Sequence, residues 1–207
     1  MTRCTAWLLG ALSGCLLLGP AAAQIHYVPT DESRVWIEGS ATTRDFTCST
    51  QHLDGRARLP AEATRTSLRE LGEDEPATPA LHATVPVRTL DCGRRRQNRD
   101  LYEAMKADEH PAIHYELLDV EVVAEPDSAG APYVLNATGR LTVAGVARTV
   151  SFRLEGRRLA DGRVRARGSL PLKMTDFGID PPTALLGLIR VRDDLVVHFD
   201  ITADEQP

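Results

Sequence analysis

The stretch Gly139-Arg-Leu-Thr-Val-Ala-Gly-Val-Ala-Arg-Thr-Val150 decides the fold. Two alternating runs flank Ala144-Gly145, a pair suited to a tight turn, and this predicts a β-hairpin. Downstream, Met174-Thr-Asp-Phe-Gly-Ile-Asp-Pro-Pro-Thr183 is a loop of Gly and Pro that opens a short apolar run, Ala184-Leu-Leu-Gly-Leu-Ile189. Neither stretch carries a catalytic constellation. Together they suggest a barrel with an apolar mouth.

Outward from the hairpin, most of the chain alternates with period two. Tyr133, Leu135, Ala137, Gly139, Leu141 and Val143 share one face, opposite Asn136, Thr138, Arg140 and Thr142. Val150, Phe152 and Leu154 oppose Thr149, Ser151, Arg153 and Glu155. Val164, Ala166, Gly168, Leu170 and Leu172 oppose Arg163, Arg165, Arg167 and Lys173. Leu195, Val197, Phe199 and Ile201 oppose Arg192, Asp194, His198 and Asp200. Nearer the N-terminus, Leu53, Gly55, Ala57 and Leu59 alternate with charged residues, as do Leu81, Ala83, Val85 and Val87 with polar ones. One wet and one dry face per strand implies an antiparallel sheet. So many such strands predict an all-β fold, a sandwich or a closed barrel of about eight strands.

Ile113–Val123 breaks phase: Ile113, Tyr115 and Leu117 share one parity, Val120 and Val122 the other. A β-bulge near Leu117-Leu118 accounts for this. Asn98, Leu101, Tyr102 and Met105 follow helical spacing and predict one main α-helix near residues 95–107, ending before His110-Pro111. A second, short mouth helix is expected after Pro182. Thr64–Pro79 and Pro126–Pro132 read as loops. With no internal repeat, residues 24–207 form one domain.

Composition narrows the function. Aromatic content is 5% and formal charge −5, which argue against a nucleic-acid partner. Arg3, the apolar run Ala6–Leu18 and Ala21-Ala22-Ala23 form a signal peptide over residues 1–23, cleaved before Gln24. A rival reading is a lipobox at Leu12-Ser13-Gly14-Cys15, with Cys15 lipidated, although Leu16-Leu17-Leu18 continues the apolar run past it. Either route takes the protein to the periplasm or outside the cell. The mature chain then keeps Cys48 and Cys92, an even count in an oxidising compartment, and a single disulfide is expected, with two buried thiols as the alternative.

Polar candidates for catalysis or metal binding do not assemble. Pro111 precludes a regular helix between His110 and His114. Asp193 and Asp194 point to opposite faces of a strand and form no shared-proton dyad. Ser33, Ser49, Ser151 and Ser169 lie in no nucleophile elbow. Arg94-Arg95-Arg96 reads as solvated charge or as a contact for an anionic head group at the mouth. No catalytic residue, metal or cofactor is assigned.

Gly55, Ala57, Ala83, Ala137, Gly139, Ala166 and Gly168 point inward by parity. They leave room for a ligand, unless neighbouring Leu and Phe fill it. The chain resembles the YceI-like family, exported bacterial lipocalin-like barrels that bind polyisoprenoid lipids. The resemblance rests on Ser33-Arg-Val-Trp36, Val85-Pro-Val87, Leu90-Asp-Cys-Gly93, Leu101-Tyr-Glu-Ala-Met-Lys-Ala107, His110-Pro-Ala-Ile113 and Gly139–Val146, in that order over about residues 25–202. It implies an apolar lipid, an isoprenoid quinone or polyprenyl chain, in a dry tunnel. The expected lining is Tyr115, Leu135, Ala137, Leu141, Phe152, Leu170, Leu195, Val197 and Phe199. Leu101 and Met105 of the helix close part of it. Phe177, Ile179, Leu185, Leu186 and Leu188 gate the mouth. Enlarging the wall with Gly139→Leu or Ala166→Phe is expected to block binding more than it harms folding. A membrane-surface encounter and a homodimer are compatible with this reading. A filled barrel acting as an interaction module is the alternative.

Overall fold

The computed structural model describes residues 24–60, 80–128, 130–184 and 189–206. Residues 1–23, expected to be a signal peptide, the Thr64–Pro79 stretch expected to be a loop, and the expected gate residues Leu185, Leu186 and Leu188 lie outside them. In chain order come β1 (Gln24–Pro29), β2 (Arg34–Ala41), β3 (Asp45–Thr50), β4 (Asp54–Pro60) and β5 (Leu81–Pro86). One α-helix, α1 (Arg95–Ala104), precedes β6 (Ala112–Ala124), β7 (Tyr133–Val143), β8 (Val146–Arg158) and β9 (Val164–Lys173). The short β10 (Thr183–Ala184) and the long β11 (Ile189–Gln206) follow.

The strands pair antiparallel in the ring β1-β4-β5-β6-β7-β8-β9-β11, closed by β11 onto β1. This is a closed eight-stranded barrel. Ala144 and Gly145 take φ of 48° and 78°, as a tight two-residue hairpin turn requires, and Val143 pairs with Val146. The register of β6 against β7 jumps between Leu117 and Asp119, so Leu118 is the bulged residue and sits exposed. A second jump falls at Val122–Ala124.

Two local differences from the sequence reading have simple causes. The helix stops at Ala104, because Lys106 enters the left-handed region at φ 51° and turns the chain. A 3-10 turn lies at Met174–Phe177, before the prolines, and Thr183–Ala184 is strand, while residues 185–188, on which the rest of the expected mouth helix falls, lie outside the described residues. Asp193 fixes that turn by accepting from Thr175 N at 2.9 Å and Oγ1 at 2.7 Å.

Closure depends on β11 changing partner. One edge pairs with β9 from Asp194 to Ala203. The other pairs with β2 up to Asp200 and with β1 from Ala203. The gap at Thr202 is filled by Ser33, fully buried, whose hydroxyl donates to Thr202 O at 2.9 Å and accepts from Thr202 N at 3.2 Å. Ser33→Ala leaves that buried N–H without its partner. The expected loss is about 2 kcal/mol, read by urea unfolding. A midpoint unchanged from wild type would show that the gap tolerates an unpaired amide.

On the outer wall Asp200 accepts from Nε and Nη2 of Arg165, both at 2.7 Å, and from Arg167 Nε at 2.9 Å. These bonds, Arg165's foremost, hold its carboxyl down at about 2. A depressed carboxyl stabilises the fold above its unfolded value of about 3.9 and loses that contribution as pH falls through the folded value. Solvent screening limits the contribution to about 1 kcal/mol. Asp200→Asn is therefore expected to lower stability at neutral pH by about that amount and to flatten the fall between about pH 4 and pH 2. Unfolding curves across that range check it; an acid slope equal to wild type would contradict it.

Candidate functional site

The inward faces enclose a cavity of about 1350 Å³, above the ~300–1,000 Å³ usual for small-molecule pockets. The parity of the strands builds it. Leu141 and Ala137 come from β7, Phe152 from β8, Leu170 from β9, and Leu195, Val197 and Phe199 from β11. Tyr115 of β6 faces the same space. Leu101 of α1 and Met105 just after it cover one end, and Phe177 and Ile179 flank them, both buried. A smaller groove of about 760 Å³ near Glu38, Asp45 and Asp176 is more open and carries acidic residues.

Leu135 is not part of the cavity wall. It packs with Val120, Val122, Ala80 and Leu117 in a second apolar cluster that fills the end of the barrel away from α1. Leu135 and Leu141 share a face of β7 but lie roughly 20 Å apart along the strand. Sequence reasoning also missed wall residues on the early strands, notably Val35, Ile37 and Phe46, and Leu172 and Met174 near the mouth. Val35 and Ile37 alternate with Arg34, Trp36 and Glu38, but the apolar Trp36 blurs that signal.

Three rings cross the interior where the two clusters meet. Phe152 lies 5.7 Å from Tyr115 and 5.6 Å from Phe199, in tilted and edge-on contacts. Their seats are glycines. A Cβ at Gly139 would clash with the Cε2–Cζ–Oη edge of Tyr115, and one at Gly168 would lie 2.6 Å from Phe199 Cζ. Gly139 and Gly168 thus hold aromatic rings rather than open volume, while a Cβ at Gly55 would meet the backbone of His82 and Ala83. Among the described residues the Tyr115 hydroxyl has no hydrogen-bond partner, and burial raises its pKa, so the phenol stays neutral.

Among the described residues, charged groups reach the cavity only near the end carrying α1. Arg44 comes from the β2–β3 turn, Arg94 and Arg96 from the start of α1, and Lys173 from the end of β9, with Asp100, Glu103 and Asp180 among them. Of the other polar candidates, His114 Nδ1 lies 3.2 Å from Thr84 Oγ1 on the outer wall, and the His110 ring rests against Gly145. Asp194 pairs in register with Lys173. Among the described residues no group of three or more His, Cys, Asp or Glu is placed to hold a metal.

Cys48 and Cys92 form a disulfide on the cavity wall. It joins β3 to the loop before α1, where a single bridge of two hydrogen bonds links Ser49 to Asp91, each 2.9 Å. Asp91 and Asn98 brace this loop. Asn98 accepts from Cys92 N at 2.8 Å and donates to Asp91 at 2.8 Å, which lowers the Asp91 pKa. Tyr102 then fastens α1 by donating to the carbonyls of Arg88 and Leu90, both at 2.9 Å.

Comparison with known proteins follows the same outline. A YceI-like domain model matches residues 28–203. A crystal structure of BcnA from Burkholderia cenocepacia superposes with a TM-score of 0.61 at 18% identity, covering 85% of this chain and 99% of that one. A polyisoprenoid binding domain from Saccharophagus degradans, implicated in plant cell wall breakdown, superposes with a TM-score of 0.63 at 13% identity, covering 87% and 98%. No curated protein matches. The two structures share the barrel, the domain model spans almost all of it, and the chain belongs to the YceI-like family.

Proposed function

We propose that the protein is an exported, non-enzymatic binding protein that carries or sequesters an apolar lipid of the isoprenoid quinone or polyprenyl type in its barrel. The observation that carries this reading is the cavity itself: about 1350 Å³, walled by aliphatic and aromatic side chains, with charge confined to one end. Burying each CH₂-sized unit of a chain there gains about 0.8 kcal/mol, so a long apolar ligand needs no ion pair inside. The Saccharophagus degradans domain, named for polyisoprenoid binding, supports the ligand class. The leader at residues 1–23 supports export, with mature protein beginning at Gln24 and delivery involving a membrane surface.

Solvent extraction of protein purified from its own host, followed by mass spectrometry, tests the reading. A stoichiometric polyprenyl or quinone species is expected. A clean extract, together with no uptake of an apolar fluorescent probe, would favour a filled interaction module. Intact mass of the same sample reads the leader, and a diacylglycerol adduct on Cys15 would replace cleavage at Gln24 with anchoring. Sedimentation reads whether two copies pair.

A further inference from the structure

Resting on the lipid-binding reading, we propose that Phe152, clamped between Tyr115 and Phe199, sets the length of chain the barrel accepts. Three observations place the limit there. First, the rings form one contact row across the interior, with Phe152 central at 5.7 Å and 5.6 Å from its neighbours. Second, the outer two cannot retreat, because Tyr115 lies against the backbone of Gly139 and Phe199 against that of Gly168. Third, beyond the row the cavity runs into the second cluster. Leu81, Leu117, Ala137, Leu154, Ala166 and Ile201 still line it, but Val120, Val122 and Leu135 do not.

The row is therefore a waist rather than a floor. A chain descending from the α1 end runs along apolar wall until it meets Phe152, and beyond the ring lies only the part of the cavity beside Leu81, Ala137, Leu154, Ala166 and Ile201. Ala137 is the register partner of Phe152 on β7, so removing the ring opens the barrel toward that alanine. Specificity on this account comes from geometry, since no charged group reaches the waist.

The test measures retention of all-trans polyprenols of increasing isoprene number by native mass spectrometry. In the wild-type protein, affinity is expected to rise with chain length, by about fourfold per CH₂-sized unit, the equivalent of about 0.8 kcal/mol, and to stop rising at a limiting length. Phe152→Ala moves that limit to longer chains. Phe152→Leu, which keeps a branched apolar side chain and more of the packing, moves it by less and serves where the alanine variant does not fold. A limit that is identical in wild type and the folded variants overturns the waist while leaving lipid binding intact. A wild-type protein that retains no polyprenol of any length overturns both.

Discussion

Replacing Cys48 and Cys92 together by alanine lowers the unfolding free energy by about 4 kcal/mol. The disulfide spans a sequence separation of 44, and freeing a loop of that size restores conformational entropy to the unfolded chain. A domain has only about 5–15 kcal/mol in total, so the loss takes a large share of it. The native side of the balance also suffers. Without the bond, β3 is tied to the loop before α1 by the two hydrogen bonds of Ser49 and Asp91 and by the contact of Thr50 with Thr89 at 2.9 Å. Guanidinium unfolding of the oxidised protein and the double variant measures this. The variant should unfold at lower denaturant with a steeper dependence, since its unfolded chain is less compact. A difference below about 1 kcal/mol would mean that closure at β3 is carried by the ladder and the Asp91–Asn98 contacts instead.

Gly139→Leu and Ala166→Phe should behave in opposite ways, although both enlarge an inward position. At 139 the new Cβ meets the Tyr115 ring directly, and that ring is flanked by Phe152. The aromatic row must shift as a unit, and overpacking of this kind costs about 3 kcal/mol. The first effect of Gly139→Leu is thus on folding, which corrects the reading of Gly139 as spare room. Ala166 faces the cavity itself, so a phenyl group there occupies ligand space. Ala166→Phe is expected to keep the midpoint of unfolding within about 1 kcal/mol and to weaken polyprenol retention at least tenfold, or about 1.4 kcal/mol. Circular dichroism melts and the retention assay on the same preparations separate the two. Equal destabilisation by both variants would show that position 166 is packed rather than open.

The contrast shows what alternation in a sequence can and cannot convey. Period two assigns a face, and it placed Tyr115, Leu141, Phe152, Leu170, Leu195 and Phe199 on the inner wall. It says nothing about height, so Leu135 was grouped with residues at the other end of its own strand. Nor does it convey lean. Tyr115 pairs with Leu141, whereas Gly139 pairs with Leu117, and only the folded sheet shows the ring lying over its diagonal neighbour. The early strands were hidden for a different reason. The outer face of β2 carries Trp36, an apolar residue where a polar one would mark the parity, and the fold accommodates it by stacking it on His198 at 5.0 Å with Arg34 above. The bulge at Leu118 was legible because the phase change is itself a sequence signal.

The partner exchange along β11 has a consequence for how the chain reaches its fold. The strand that completes the ring comes after every other strand of it in the chain, and His26, which can pair with Arg58 of β4 early, must wait for Gln206 before its second edge is paired. Both N-terminal strands stay without a neighbour on that edge until residues 189–206 have been made. Non-local pairing of this kind is slow, because the chain must lose loop entropy before any contact compensates. For the exported protein proposed above, the delay keeps the polypeptide threadable: nothing made before β11 can seal the barrel ahead of translocation, and β11 carries the latch.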